Sequence, residues 1–111
     1  MELYEKDNKI GVLISPGFGA GWSTWAPDDF PINVALDKRV IVKWLELTNE
    51  WDGRDKFEKW LYEITDGAYV YLGGWRDLEL VFVPKGSMFR INEYDGDESI
   101  EFFDKSHYMT V

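Results

Sequence analysis

Met88-Phe89-Arg90-Ile91-Asn92-Glu93-Tyr94-Asp95-Gly96-Asp97-Glu98-Ser99-Ile100-Glu101-Phe102-Phe103 carries the pattern that decides the fold. Apolar and polar residues alternate on both sides of Asp95-Gly96. Alternation of period two belongs to a strand with one buried face, and Asp-Gly between two such runs favours a tight hairpin turn. The stretch therefore predicts a hairpin of strands over Met88–Glu93 and Ser99–Phe103, with Phe89, Ile91 and Glu93 on one side and Arg90, Asn92 and Tyr94 on the other.

The same punctuation repeats along the chain. Ala68–Leu72, Leu78–Val83 and Tyr108–Val111 are further short runs rich in Val, Leu and Tyr, set off by Gly73-Gly74, Pro84-Lys85-Gly86 and Asp104-Lys105. At the other end, Leu3-Tyr4 and Ile10–Ile14 flank Asp7-Asn8-Lys9, which predicts an opening hairpin with Asn8 at positive φ. Two helices fall between these β regions. Asp37 is placed to cap a helix over 38–48, whose Val40, Trp44 and Leu47 share a face; Phe57, Trp60, Leu61 and Ile64 do the same over 55–65, where Asp66-Gly67 ends the helix. The expectation is one α+β domain over residues 1–111. Its sheet is mainly antiparallel, a meander of about six to seven short strands, with both helices packed on one face.

Composition bounds the function. A chain of 111 residues buries on the order of 65% of its unfolded surface, enough for one core. Six Trp, six Tyr and seven Phe mean that the core is built largely from rings and that some rings reach the surface, where they also suit a homodimer interface. The absence of cysteine rules out disulfides and thiolate metal sites. A net charge of −9 argues against direct contact with nucleic acid or an anionic membrane. With no leader pattern and no apolar run near the roughly 20 residues of a membrane span, a cytoplasmic protein is expected.

From Pro16 to Pro31 the chain is too interrupted by proline and glycine for a helix or a central strand, which predicts a long ordered loop. Its core, Gly17-Phe18-Gly19-Ala20-Gly21-Trp22-Ser23-Thr24-Trp25, alternates glycine with rings. A dinucleotide fingerprint fails because Trp22 occupies the third glycine position, and no Gly-Lys-Ser/Thr follows to make a phosphate loop. No cofactor is implied. The carboxylates Glu93, Asp95, Asp97 and Glu98 lack the frame of a calcium loop, so no metal is expected; Glu93 and Glu98, paired across their hairpin, could serve acid–base chemistry. His107 with Ser15 or Ser23 has no nucleophile elbow around it. Arg76 after Gly73-Gly74-Trp75, and Arg90 between ring-bearing neighbours, suit either surface ion pairs or an anion-clamping aromatic corner.

Three segments, Ile14–Trp25, Gly73-Gly74-Trp75-Arg76-Asp77-Leu78-Glu79 and Val83–Ile100, carry long residue-specific motifs. In these the chain resembles a family of small uncharacterised proteins encoded by bacteriophages and prophages. The resemblance implies an accessory protein acting in the bacterial host cytoplasm. Together with the residues above it gives a first expectation of a non-enzymatic binding module that counters host defence. Trp22, Ser23, Thr24, Trp25, Trp75, Arg76 and Arg90 would hold a host protein or a small nucleotide-like ligand. A second expectation is an acidic mimic of nucleic acid that blocks a host enzyme. A third, a divergent ADP-ribosyltransferase-like enzyme, rests on a fainter resemblance. Asp77-x-Glu79 followed by Val83-Pro84-x-Gly86-Ser87-x-Phe89, with Ser23-Thr24, looks like the late strand and Ser-Thr-Ser element of ADP-ribosyltransferases. Asp77 and Trp25 depart from that pattern, which leaves it a likeness of fold alone.

Overall fold

The computed structural model describes residues 1–17 and 21–103. Along the chain run strands β1 (Glu5–Lys6) and β2 (Lys9–Ile14), helices α1 (Lys38–Leu47) and α2 (Gly53–Ile64), and strands β3 (Glu79–Pro84), β4 (Phe89–Tyr94) and β5 (Asp97–Phe102). Short 3-10 turns sit at Ser23–Trp25 and Trp75–Asp77. The fold is α+β, with all strands antiparallel, in a three-stranded sheet β1-β2-β3 and a separate two-stranded β4-β5 ladder.

Both tight hairpins turn where the sequence places them, although the first strand of the opening one is Glu5–Lys6 rather than Leu3-Tyr4. Asp7 and Asn8 lie at φ 53° and 64° between the Lys6–Lys9 pair, and Asp95 and Gly96 at 50° and 86° between the Tyr94–Asp97 pair. Positive φ at both central residues matches the twist of the flanking strands. Asp37 caps α1 by accepting the Arg39 N–H at 2.9 Å, and α1 buries Val40, Ile41 and Trp44. α2 ends in a Schellman arrangement: the Gly67 N–H donates to the Tyr62 carbonyl, and that of Asp66 to Glu63. Phe57 and Leu61 are buried and Trp60 packs beside them, but Ile64, expected on the same face, is exposed.

The expected single meander is not what forms. β2 lies between β1 and β3 and is apolar on both faces: Leu13 turns toward the helices, while Ile10, Val12 and Ile14 turn the other way. The helices cover only the first face. Across the second lies the β4-β5 hairpin, whose Phe89, Ile91 and Ile100 pack with Ile10, Val12, Ile14 and Val83. Had β4 extended the sheet beside β3, that second apolar face would have stayed in water, at a cost of roughly 25 cal/mol per Å². Folding the hairpin back makes three layers: helices, sheet and hairpin. Ala68–Leu72, expected as a strand, joins no ladder, so five strands form among the described residues; the strand expected at Tyr108–Val111 lies outside them.

Candidate functional site

The hairpin that covers the sheet also fixes the Gly/Trp loop. In the β4-β5 register Glu93 faces Glu98, on the same side as Ile91 and Ile100, so the apolar stripe ends in two carboxylates, Glu98 buried and Glu93 exposed at the rim. Glu98 is 1% exposed. Its Oε1 accepts the Ser15 N–H at 2.9 Å, and its Oε2 accepts the N–H of Trp22 at 2.7 Å, the N–H of Thr24 at 3.0 Å and the Thr24 hydroxyl at 2.5 Å. The Glu98 N–H in turn donates to the Ser15 carbonyl, and Asp97 accepts the Gly17 N–H at 2.9 Å. Glu93 accepts the Gly96 N–H at 2.7 Å and the Trp25 indole N–H at 3.1 Å. A buried carboxylate is tolerable only when its lone pairs are met, and a loop without ladder partners needs acceptors for its N–H groups. Each solves the other's problem.

This arrangement gives the carboxylates a different role from acid–base chemistry. The oxygens of Glu93 and Glu98 are turned to the chain's own donors, and Glu98 is sealed from solvent. Within the densest acidic stretch Glu98 is thus internal structure, while Glu93 and Asp95 stay exposed. Among the described residues no group of His, Cys, Asp and Glu is arranged to hold a metal ion.

The seven residues expected to bind fall in three places. Trp22 is 1% exposed and belongs to the main core, against Phe57 at 6.0 Å between ring centroids. Thr24 is exposed but spends its hydroxyl on Glu98, and half-buried Ser23 lines a shallow hollow with Phe30, Ile32 and Ile91. Trp25 is 41% exposed and stacks on Tyr71 at 5.7 Å. Both rings lie over a glycine. A Cβ on Gly21 would collide with the Trp25 ring and one on Gly73 with the Tyr71 ring, so these two positions require glycine for the pair to close.

Trp75 and Arg76 sit elsewhere, at a cleft of about 710 Å³ between the α1–α2 turn and the 3-10 turn at Trp75–Asp77. Trp75 is mostly buried against Phe57, and Arg76 is exposed. Sequence reasoning missed Trp51, which stands 97% exposed on the rim; nothing in Asn49-Glu50-Trp51-Asp52 distinguishes an outward ring from an inward one. Arg54 and Arg76 line this cleft without ion-pair partners among the described residues, but Glu50, Asp52, Asp55 and Asp77 line it too. Arg90 is on the outer face of the hairpin, bound to Glu101 at 2.6 Å and over the Phe103 ring. The Glu101 carboxyl is held below its ordinary range by its hydrogen bond from Asn92, then by Arg90.

The Trp25–Tyr71 pair continues along one surface. In Ala68–Leu72 the side chains alternate, Val70 and Leu72 inward to the core, Tyr69 and Tyr71 outward. Tyr62 of α2, also exposed, borders a small crevice with Tyr69 and Glu58. Trp25, Tyr71, Tyr69 and Tyr62 thereby form a row of accessible rings with Glu93 at one end and Glu58 at the other.

Comparison with protein-family models, with curated proteins and with solved structures returned no match. No helix among the described residues is long and apolar enough to cross a membrane.

Proposed function

We propose that this chain is a non-enzymatic binding module that holds a partner protein through the aromatic row built on Trp25 and Tyr71. One observation carries the reading: Trp25 is exposed yet held on three sides, by Glu93 at its indole N–H, by the Tyr71 ring, and by a loop whose backbone is fixed on Glu98. A surface ring already fixed in place loses little conformational entropy when a partner covers it, and Trp and Tyr supply large contact areas for that purpose. The family resemblance points to a phage accessory role and to a bacterial cytoplasmic protein as the partner. A nucleotide-like ligand at Arg54, Trp75 and Arg76 is the weaker reading, because the four carboxylates lining that cleft repel phosphate.

The test is paired capture. Tagged wild-type protein and a Trp25→Ala/Tyr71→Ala variant are passed over bacterial lysate, and retained proteins are compared by mass spectrometry. The expected result is a protein retained by the wild type and depleted at least tenfold with the variant, at unchanged circular dichroism. Equal retention by both, or retention of nothing, overturns the reading.

A further inference from the structure

The segment carrying Tyr69 and Tyr71 has the side-chain alternation of a strand and none of its ladder. Among the described residues the backbone groups of Tyr69, Val70 and Tyr71 make no hydrogen bond; at the segment's ends, the Ala68 carbonyl accepts from the Thr65 hydroxyl at 3.4 Å and the Leu72 carbonyl from the Trp75 N–H at 3.1 Å. Alternation with Val70 and Leu72 buried pins the segment down by its side chains, so its backbone is presented in a fixed register. In extended chain the N–H and C=O of alternate residues point to the same edge. One edge therefore offers the groups of Tyr69 and Tyr71 together, while Val70 and Leu72, at 3% and 2% exposed, keep theirs away from solvent.

We infer that the segment 68–72 is a strand-addition site, and that its occupant is an extended, basic segment of the partner protein, laid alongside it with alternate side chains over Tyr69, Tyr71 and Trp25. The inference rests on the reading of the aromatic row as a protein-binding surface and specifies how that surface works. Main-chain hydrogen bonds supply binding in such a mode, and the side chains on alternate positions supply selection. Charge selects the occupant. The row lies between Glu93 and Glu58, Asp66 adjoins the segment in sequence, Lys59 lies beside Glu58 and Tyr62 on α2, and the chain as a whole carries −9. Lysine or arginine over an exposed Tyr or Trp face gains a cation–π contact that an acidic side chain cannot.

The test uses the full-length protein, uniformly labelled with nitrogen-15, and blocked eight-residue peptides. One alternates Lys and Val; a second alternates Glu and Val; two more are the Lys/Val peptide N-methylated at one or the other alternate set of amides. The expected result is that the Lys/Val peptide slows amide exchange at least tenfold at alternate residues within 69–72 and quenches Trp25 fluorescence, which a Trp25→Phe variant identifies. The Glu/Val peptide does neither. Methylation of one set of amides abolishes the effect, and methylation of the other leaves it, because only one edge of the added strand faces the protein. Equal binding by both methylated peptides with Trp25 still quenched overturns strand addition while leaving the aromatic surface standing. Absence of protection within 69–72 also overturns it. So does the same alternate protection in the protein alone as its concentration rises, which would make the occupant a second copy of this chain.

Discussion

The loop around Trp25 and the segment around Tyr71 contribute the two rings of one stacked pair, yet they are held in opposite ways. The loop joins no ladder among the described residues and is fixed through its backbone: N–H groups of Gly17, Trp22 and Thr24 all end on Asp97 or Glu98. The 68–72 segment has strand-like alternation and is fixed through its side chains, with Val70 and Leu72 in the core and the backbone between them unclaimed. Order in a chain can thus be imposed from either side of the residue. Only the second way leaves hydrogen-bonding capacity for a visitor.

The sharpest way to break the contrast is to remove the acceptor. Glu98→Ala leaves the N–H groups of Ser15, Trp22 and Thr24 buried or half-buried without their partner, and is expected to cost about 4 kcal/mol in urea unfolding. Glu98→Gln keeps the shape and one acceptor oxygen but turns an amide NH₂ toward donors, for a loss of about 2 kcal/mol. Equal stability of Glu98→Ala and the wild type would mean that the loop is not held by this carboxylate.

A single carboxylate serving one helix start gives the scale for comparison. Asp37→Ala removes the cap of α1 and its Arg39 contacts and is expected to cost about 1 kcal/mol at pH 7. The hydrogen bond from Arg39 holds the Asp37 carboxyl below its ordinary value despite burial. The folded protein therefore takes up this proton at lower pH than the unfolded chain does. The contribution is complete above the unfolded value of about 4 and fades as pH falls through the lower folded one. Urea midpoints of the two proteins should converge between pH 4 and the acid limit of folding; a difference that grows on acidification would reverse the sign.

The smallest effect belongs to the unclaimed backbone. Tyr69→Pro deletes an N–H that donates to nothing among the described residues, and is expected to shift stability by less than about 0.5 kcal/mol. Leu13→Pro, which deletes the N–H donated to the Ala35 carbonyl at 2.9 Å, is the contrasting case and should lose far more.

Much of this was legible from residue types. Asp37 before an amphipathic run, and Asp-Asn and Asp-Gly between alternating runs, carry their local geometry wherever they occur, because capping and positive φ are properties of those side chains. The break between β3 and β4 was not legible at Pro84-Lys85-Gly86, which would serve equally to turn beside the sheet or to cross over it. The deciding signal lay elsewhere, in β2: a strand apolar at Ile10, Val12, Ile14 and also at Leu13 needs cover on both faces. Glu98 shows the limit of reading charge as surface. The alternation that places Ile91 and Ile100 inward places Glu93 and Glu98 on the same side, so an internal carboxylate was implied by the register, though its partners, 74 to 83 residues earlier, were not. For Ala68–Leu72 the alternation of buried and exposed side chains holds, but the strand expected from it does not form. What it could not reveal was the missing neighbour, since side chains report faces and not edges.

Glu98 also sets an order of events during synthesis. The donors it satisfies leave the ribosome first and wait through most of the chain before their acceptor is made, whereas the two helices and the opening hairpin need only near neighbours. Contacts of such long separation form late, because the intervening chain must be ordered before they can close. The backbone around Trp22 therefore waits for its acceptor in a growing chain until Glu98 is made, even though the rings of Trp22 and Trp25 meet earlier partners in Phe57 and Tyr71.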